Sequence, residues 1–286
     1  MSVRKSYPSI FLLSALARYL PAYFEKILRR LLGKKIPDRN SAKVSKSYDA
    51  LAERKLAFLN TRHSLTLSEY VFDNFMSYPD DQDGFRLIED KIVWASQRKA
   101  EEAFVLEIER YLSPYLGKKG TIVEFGSGTG RNLLWLKSKY PQTKFIGLEL
   151  SSKNVELAKS AAYRFGLEAD FYVANVCETK IPPLPADILT VFSVHALEQM
   201  PRIYQIAVDH MMRVTSEKAL FFEPVSELYP YNLRGFVSRM RPICLDRLRG
   251  LLGYLSKNYR LTLKKHIGVG VNPLNESCVL AAERRN

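Results

Sequence analysis

Three groups of residues in this chain have the types and spacing to do chemistry. Glycines alternate in Glu124-Phe-Gly-Ser-Gly-Thr-Gly130, a second carboxylate stands at Glu149, and His195 lies three residues before Glu198. Alternating glycines let a backbone take positive φ and approach a ligand that any Cβ would hold off. A carboxylate about twenty residues beyond such a loop is where a nucleotide-binding α/β fold sets an acid against ribose hydroxyls. His195 is the best catalytic candidate, because an imidazole can take a proton near neutral pH from a hydroxyl that is becoming a nucleophile. The competing reading is a structural histidine at a strand end. Glu198 either orients His195, contacts a substrate, or is an exposed helix carboxylate.

Regular elements must hold these groups. Ile122, Val123 and Phe125 form an apolar run that stops at Gly126, Gly128 and Gly130, and Leu133, Leu134 and Leu136 follow: strand, tight turn, helix. The new helix would offer unpaired N–H groups at its start. Further strands are predicted at Lys144–Glu149, 170–174, 186–193, Lys218–Glu223, Arg260–His266 and 277–282. Ser151 is placed to cap a helix that Gly166 ends, and Pro182, Pro183 and Pro185 impose an extended approach to the fourth strand. Strands alternating with helices give an α/β chain with a doubly wound, seven-stranded, mostly parallel sheet. Residues 117–286 form this core, with an insertion at 226–258. Residues 47–116 read as a helical cap with a turn at 78–84 and a long helix over 91–115, and residues 1–46 as a basic amphipathic arm and linker, the linker at 37–41.

A dinucleotide fingerprint, G-x-G-x-x-G, would need a glycine directly after Gly130, where Arg131 stands. The E-x-G-x-G-x-G form instead resembles motif I of the class I S-adenosylmethionine-dependent methyltransferases, and the resemblance runs from about Ile122 through Leu280. It implies that Glu124 and the loop of Gly126, Ser127, Gly128 and Gly130 hold the methionine end of S-adenosylmethionine, Glu149 the ribose, and Asn175 with Val176 the adenine. Asn175 departs from the family's usual Asp but can still hydrogen-bond. It also places Val194-His-Ala-Leu-Glu-Gln-Met-Pro201 near the transferred methyl group, and makes the cap a lid over cofactor and substrate, with Tyr48, His63 and Tyr70 as lid residues. The [DNS]-P-P-[YFW] signature of amino-group methylation is missing at Ser193-Val-His-Ala. The expected acceptor is therefore an oxygen on a small molecule, a sugar or a lipid-linked substrate, with no metal demanded. The rivals are an RNA methyltransferase and a cofactor-binding but inactive interaction protein.

Composition bounds the partners. Residues 1–46 contribute +9 and residues 234–265 contribute +8 to a net charge of +13, so the rest of the chain is acidic. Such local basicity asks for lipid headgroups, phosphates or nucleic acid, unless it only solvates a face. Cys177, Cys244 and Cys278, without C-x-x-C spacing, suggest neither a disulfide framework nor a zinc site, and fit the cytosol. Leu13, Leu16, Ala17, Leu20, Phe24, Ile27, Leu28 and Leu31 recur at helical spacing beside Lys26, Arg29 and Arg30, and the apolar run is too short to cross a bilayer. Residues 1–35 are thus expected to lie on the inner face of an anionic membrane, or else to pack on the protein's own core or on a partner subunit.

Overall fold

The computed structural model describes residues 8–32, 41–73, 83–178, 181–200 and 203–285. The predicted 78–84 turn, apart from its last two residues, and the 37–40 part of the linker lie outside these. The chain opens with α1 (Pro8–Leu31), which continues through Pro21. Residues 41–112 then supply α2 (Ser41–Thr61), α3 (Leu67–Phe72), the hairpin of β1 (Gly84–Ile88) and β2 (Lys91–Ala95), and α4 (Gln97–Leu112). The long helix expected over 91–115 is thus a strand followed by a shorter helix. Ile92, Val93 and Trp94 favour a pleated strand, Glu89 and Asp90 turn the hairpin with φ of 49° and 62°, and the Ser96 hydroxyl accepts from the Lys99 N–H to start α4.

From residue 121 strand and helix alternate: β3 (Thr121–Phe125), α5 (Arg131–Lys139), β4 (Lys144–Glu149), α6 (Ser152–Arg164), β5 (Asp170–Val173), β6 (Ile188–Val194), α7 (Tyr204–Val214) and β7 (Lys218–Glu223). The inserted α8 (Leu233–Cys244) and α9 (Leu251–Asn258) precede β8 (Arg260–His266) and β9 (Cys278–Glu283). Seven strands form one sheet in the order β5-β4-β3-β6-β7-β9-β8, parallel except for β9, which runs against both neighbours. Every residue of β3 is buried, as expected for a parallel strand covered on both faces. Alternation sends Ile122 and Phe192 into the layer with α4, α5 and α6, and Val123 and Val191 into the layer with α7 and α9.

The basic insertion largely serves the protein's own interior. Arg234 pairs with Asp90 and Glu276, and His266 Nε2 lies 2.7 Å from the same Glu276. Arg239 donates to the carbonyls of Tyr229 and Pro230, Arg241 to Asn275 Oδ1, and Arg247 to Gln199 Oε1 at 2.7 Å. An anionic partner, or failing that a solvated face, was the expectation for this cluster, but long side chains can bury their stems while their heads meet internal carbonyls and carboxylates. Helix α1 also packs inward: Phe11, Leu12, Ala15, Leu16 and Tyr19 meet Val237 of α8 and Leu274, and the Phe11 ring lies 4.7 Å from Phe85.

Candidate active site

Strand register decides where the site forms. Phe125 is paired with Leu148 on one side and Ser193 on the other, so Gly126, Glu149 and Val194 all emerge at the carboxyl edge of the sheet. Strands β4 and β5 extend the sheet to one side of β3, and β6 and β7 to the other. The reversal opens a crevice beyond the ends of β3 and β6, where α/β sheets take ligands. Two cavities of about 440 and 620 Å³ meet there, both lined by Gly126, Gly128, Tyr48 and His195. A Cβ on Gly126 would stand 2.4 Å from that of Ala196, so only glycine allows the β6 loop this close. Gly128, at φ +54°, has nothing within 4 Å of where a Cβ would project; the space beside it is open to a ligand.

Three carboxylates stand at the ends of parallel strands, each in a different environment. Glu149 Oε2 accepts from the Gly128 N–H and Oε1 from the Ser151 N–H, both at 2.9 Å. Burial raises its pKa, and these donors oppose the rise. Glu124 is 1% exposed, with Oε1 accepting from Asn132 Nδ2 at 2.7 Å and Oε2 buried without a partner. Burial pushes its pKa up to about 8. The Ser127 hydroxyl is also buried without a partner. An unmatched carboxylate oxygen and hydroxyl, beside open space at Gly128, suit the cationic amino group at the methionine end of S-adenosylmethionine. Glu149, Leu150, Asn175 and Val176 line the second cavity, where ribose and adenine would lie. Asn175 Oδ1 accepts from the Cys177 N–H, and its amide donates to Glu178, which shapes the turn after β5.

His195 follows β6 with φ at +51°, a conformation that costs a non-glycine residue and turns the ring back over the sheet edge. Nε2 lies 2.8 Å from Ser277 Oγ, Nδ1 lies 3.2 Å from Asn275 Nδ2 and 3.6 Å from Glu198 Oε1, and the Phe104 ring stands against it edge to face. Burial disfavours the charged ring, yet the hydrogen bond and charge of Glu198 outweigh it and raise the pKa. Glu198 is buried rather than an exposed helix acid. Despite that burial, His195, Arg247 and Arg241 hold its pKa down to about 2.

The third strand-end carboxylate, Glu223, was not anticipated. Fully buried, it accepts from the Ser193 hydroxyl and from the N–H groups of Ala196, Leu197 and Glu198 at 2.9–3.3 Å, capping the 3₁₀ turn Leu197–Gln199 that carries Glu198. Its place at the end of β7, like Glu149 at the end of β4, was the available signal. Lys55, Glu101, Phe104, Asn272, Asn275 and Ser277 also line the first cavity. They come from the cap and from the loop before β9, and carry no local motif. Burial, with Arg131 nearby, lowers the Lys55 pKa to about 8. Of the expected lid residues, Tyr48 lines both cavities and Tyr70 donates to the Thr129 carbonyl from behind the glycine loop. His63 is remote from them, on an outer groove with Tyr163 and Arg164.

Residues 122–218 match the family model of a methyltransferase domain. Magnesium protoporphyrin IX methyltransferase from Synechocystis PCC 6803, solved with bound SAH, superposes with a TM-score of 0.56 at 12% identity, over 86% of this chain and 100% of that one. The [4+2]-cyclase SpnF gives 0.56 at 14% identity, over 86% and 97%. A geranyl diphosphate methyltransferase in complex with SAM gives 0.51 at 12%, over 66% and 88%. At these identities the likeness is one of fold, and no curated protein sequence matches. The matched domain runs from the strand before the glycine loop, through His195, to the start of β7, so it is the unit built around this crevice. The chain thus contains a region that matches the methyltransferase-domain model, on a fold shared with S-adenosylmethionine-dependent methyltransferases.

Proposed function

We propose that the protein methylates a hydroxyl oxygen of a small, sugar or lipid-linked acceptor, with His195 as the proton acceptor. The observation that carries this reading is the His195–Glu198 pair, held over the cavity that Glu124 and Gly128 line from the other side. S-adenosylmethionine, when bound, supplies a methyl group on a sulfonium that is already activated for in-line displacement. The chain's own task is then to orient, exclude water and move one proton. Glu124 and the Ser127 and Gly128 edge of the loop would receive the amino-acid end, Glu149 the ribose hydroxyls, and Asn175 with Val176 the adenine. Residues 47–116 act as the cap in this reading: Tyr48, Lys55 and Phe104 close the acceptor side, with Asn272 and Ser277 opposite.

His195 would take the proton of the acceptor hydroxyl as that oxygen becomes the nucleophile toward the methyl group the cofactor would supply. Glu198, ionised because of its surroundings, stabilises the resulting imidazolium. An RNA acceptor is less well supported, because the arginines of the insertion that suggested it make internal contacts. The cytosol, where the cofactor is available, remains the expected compartment, and all three cysteines are thiols. Incubating the protein with methyl-labelled S-adenosylmethionine and fractionated extract tests the reading: label should enter a small or lipid-soluble product through a base-stable ether linkage, whereas a base-labile methyl ester would point to a carboxylate acceptor and remove the need for His195. Label in RNA, or on a nitrogen, would replace the reading.

A further inference from the structure

Helix α1 has two apolar faces, and the described residues cover only one. Its inner face meets α8 and Leu274. On the outside, Ile10, Leu13, Ala17, Phe24, Leu28 and Leu31 recur at intervals of three, four and seven residues and form one stripe along the helix. The five large side chains in it are 56–79% exposed. Soluble surfaces scatter such residues singly; a continuous stripe marks a binding face.

We propose that this stripe lays the protein on an anionic lipid surface, and that the acceptor is an amphiphile drawn from that surface. Charge decides the occupant. Helix α1 carries Arg18, Lys26, Arg29 and Arg30 against Glu25 alone, which pairs with Arg29 at 2.8 Å, and the chain as a whole carries +13. A second copy would bring like charges together, whereas anionic headgroups neutralise them while the apolar side chains enter the acyl boundary. No described helix is long and apolar enough to cross a membrane, so α1 lies in the interface.

The position of α1 connects this surface to the site. Leu274, against which α1 packs, belongs to the loop that supplies Gly270, Asn272 and Asn275 to the cavity wall, and Asn275 touches His195. Phe11 packs on Phe85 of β1, whose Leu87 pairs with Gly270 of the same loop. The helix that would meet the bilayer therefore backs the wall of the acceptor chamber. The choice of an amphiphilic acceptor rests on the methyl-transfer reading, whereas the docking itself does not.

Full-length protein should sediment with vesicles of phosphatidylcholine containing about one-third phosphatidylglycerol, much less with phosphatidylcholine alone, and less as salt rises. Leu13→Asp with Leu28→Asp should weaken this partitioning by about a hundredfold or more, because two side chains leave the interface and two repelled charges enter it. Both positions face away from the core, so S-adenosylmethionine binding by calorimetry should be unchanged; lost cofactor binding in the wild type would instead count against the methyl-transfer reading. Leu16→Asp, on the inner face, should lower thermal stability and so separates packing from docking. Absence of vesicle binding would overturn the proposal, as would equal binding to both lipids or a wild-type dimer that the double variant dissociates.

Discussion

Replacing Glu124 with Gln should stabilise the unliganded protein at alkaline pH while weakening its grip on S-adenosylmethionine. The Glu124 carboxyl accepts one hydrogen bond, from Asn132, and burial moves its pKa from 4.5 to about 8. A folded value above the unfolded one means that the stability from this group is fully present below about pH 4.5 and is lost as pH rises to about 8. At about 1.4 kcal/mol per unit the loss is on the order of 3 kcal/mol by pH 7 and 5 kcal/mol above pH 8. Gln keeps the bond from Asn132 and cannot ionise, so the variant's urea midpoint should exceed the wild type's at about pH 8.5, and the difference should shrink near pH 5. Cofactor binding should change in the opposite sense. A cationic amino group beside Glu124 favours the carboxylate, so binding releases a proton, and wild-type affinity should rise by up to about tenfold per unit between pH 5 and 7. Loss of the charge-assisted contact should cost about 1.5–3 kcal/mol, and the variant should lose the pH dependence. Calorimetry in buffers of different ionisation enthalpy measures the released proton directly. A variant less stable than the wild type at alkaline pH, or one that binds with unchanged affinity and proton release, would refute the reasoning.

His195→Gln should slow methyl transfer by about 10²- to 10⁴-fold in single-turnover assays, with cofactor affinity unchanged; full activity at neutral pH would remove His195 from the mechanism. A base must be unprotonated, so wild-type kcat/KM should fall as pH drops below a pKa displaced upward from 6.5, and Glu198→Gln should move that limb to lower pH. An unmoved limb would mean that Glu198 does not set the histidine's charge. Glu223→Ala leaves the N–H groups of Ala196, Leu197 and Glu198 buried without an acceptor and should destabilise the fold by at least about 3 kcal/mol in denaturant melts, with Glu223→Gln costing less. Equal effects would show that water replaces the cap.

Sequence reading reached what local chemistry announces and stopped where long-range packing decides. The glycine loop, Glu149 and the strand at Lys218–Glu223 were legible because a buried parallel strand is a bounded apolar run and a glycine turn has its own composition, and Arg260–His266 because Leu261 and Leu263 alternate with polar residues as in a half-exposed edge strand. The β1–β2 hairpin was hidden because its turn is Glu89-Asp90, without the glycine or asparagine that usually marks one. The face of α1 was legible only in part. Leu13 and Leu16 share a helical period, yet the first is exposed and the second packs inward, and only the position of α8 distinguishes them. The same limit applied to charge: the sequence shows where arginines cluster, but not that Arg241 reaches Asn275 or Arg247 reaches Gln199. Asn275 and Ser277 reach His195 across 80 and 82 residues, a contact that no local pattern encodes.

The measurement closest to the central claim is a calorimetric titration of full-length protein with S-adenosylmethionine, repeated for Gly128→Val and Glu149→Ala. One site per chain is expected in the wild type. Valine at Gly128 would fill the open space beside the loop, and Glu149→Ala would remove the acceptor assigned to the ribose, at about 1.5–3 kcal/mol. Both variants should therefore bind at least about tenfold more weakly while melting cooperatively. No binding by the wild type, or unchanged affinity in two folded variants, would contradict the placement of the cofactor in this crevice.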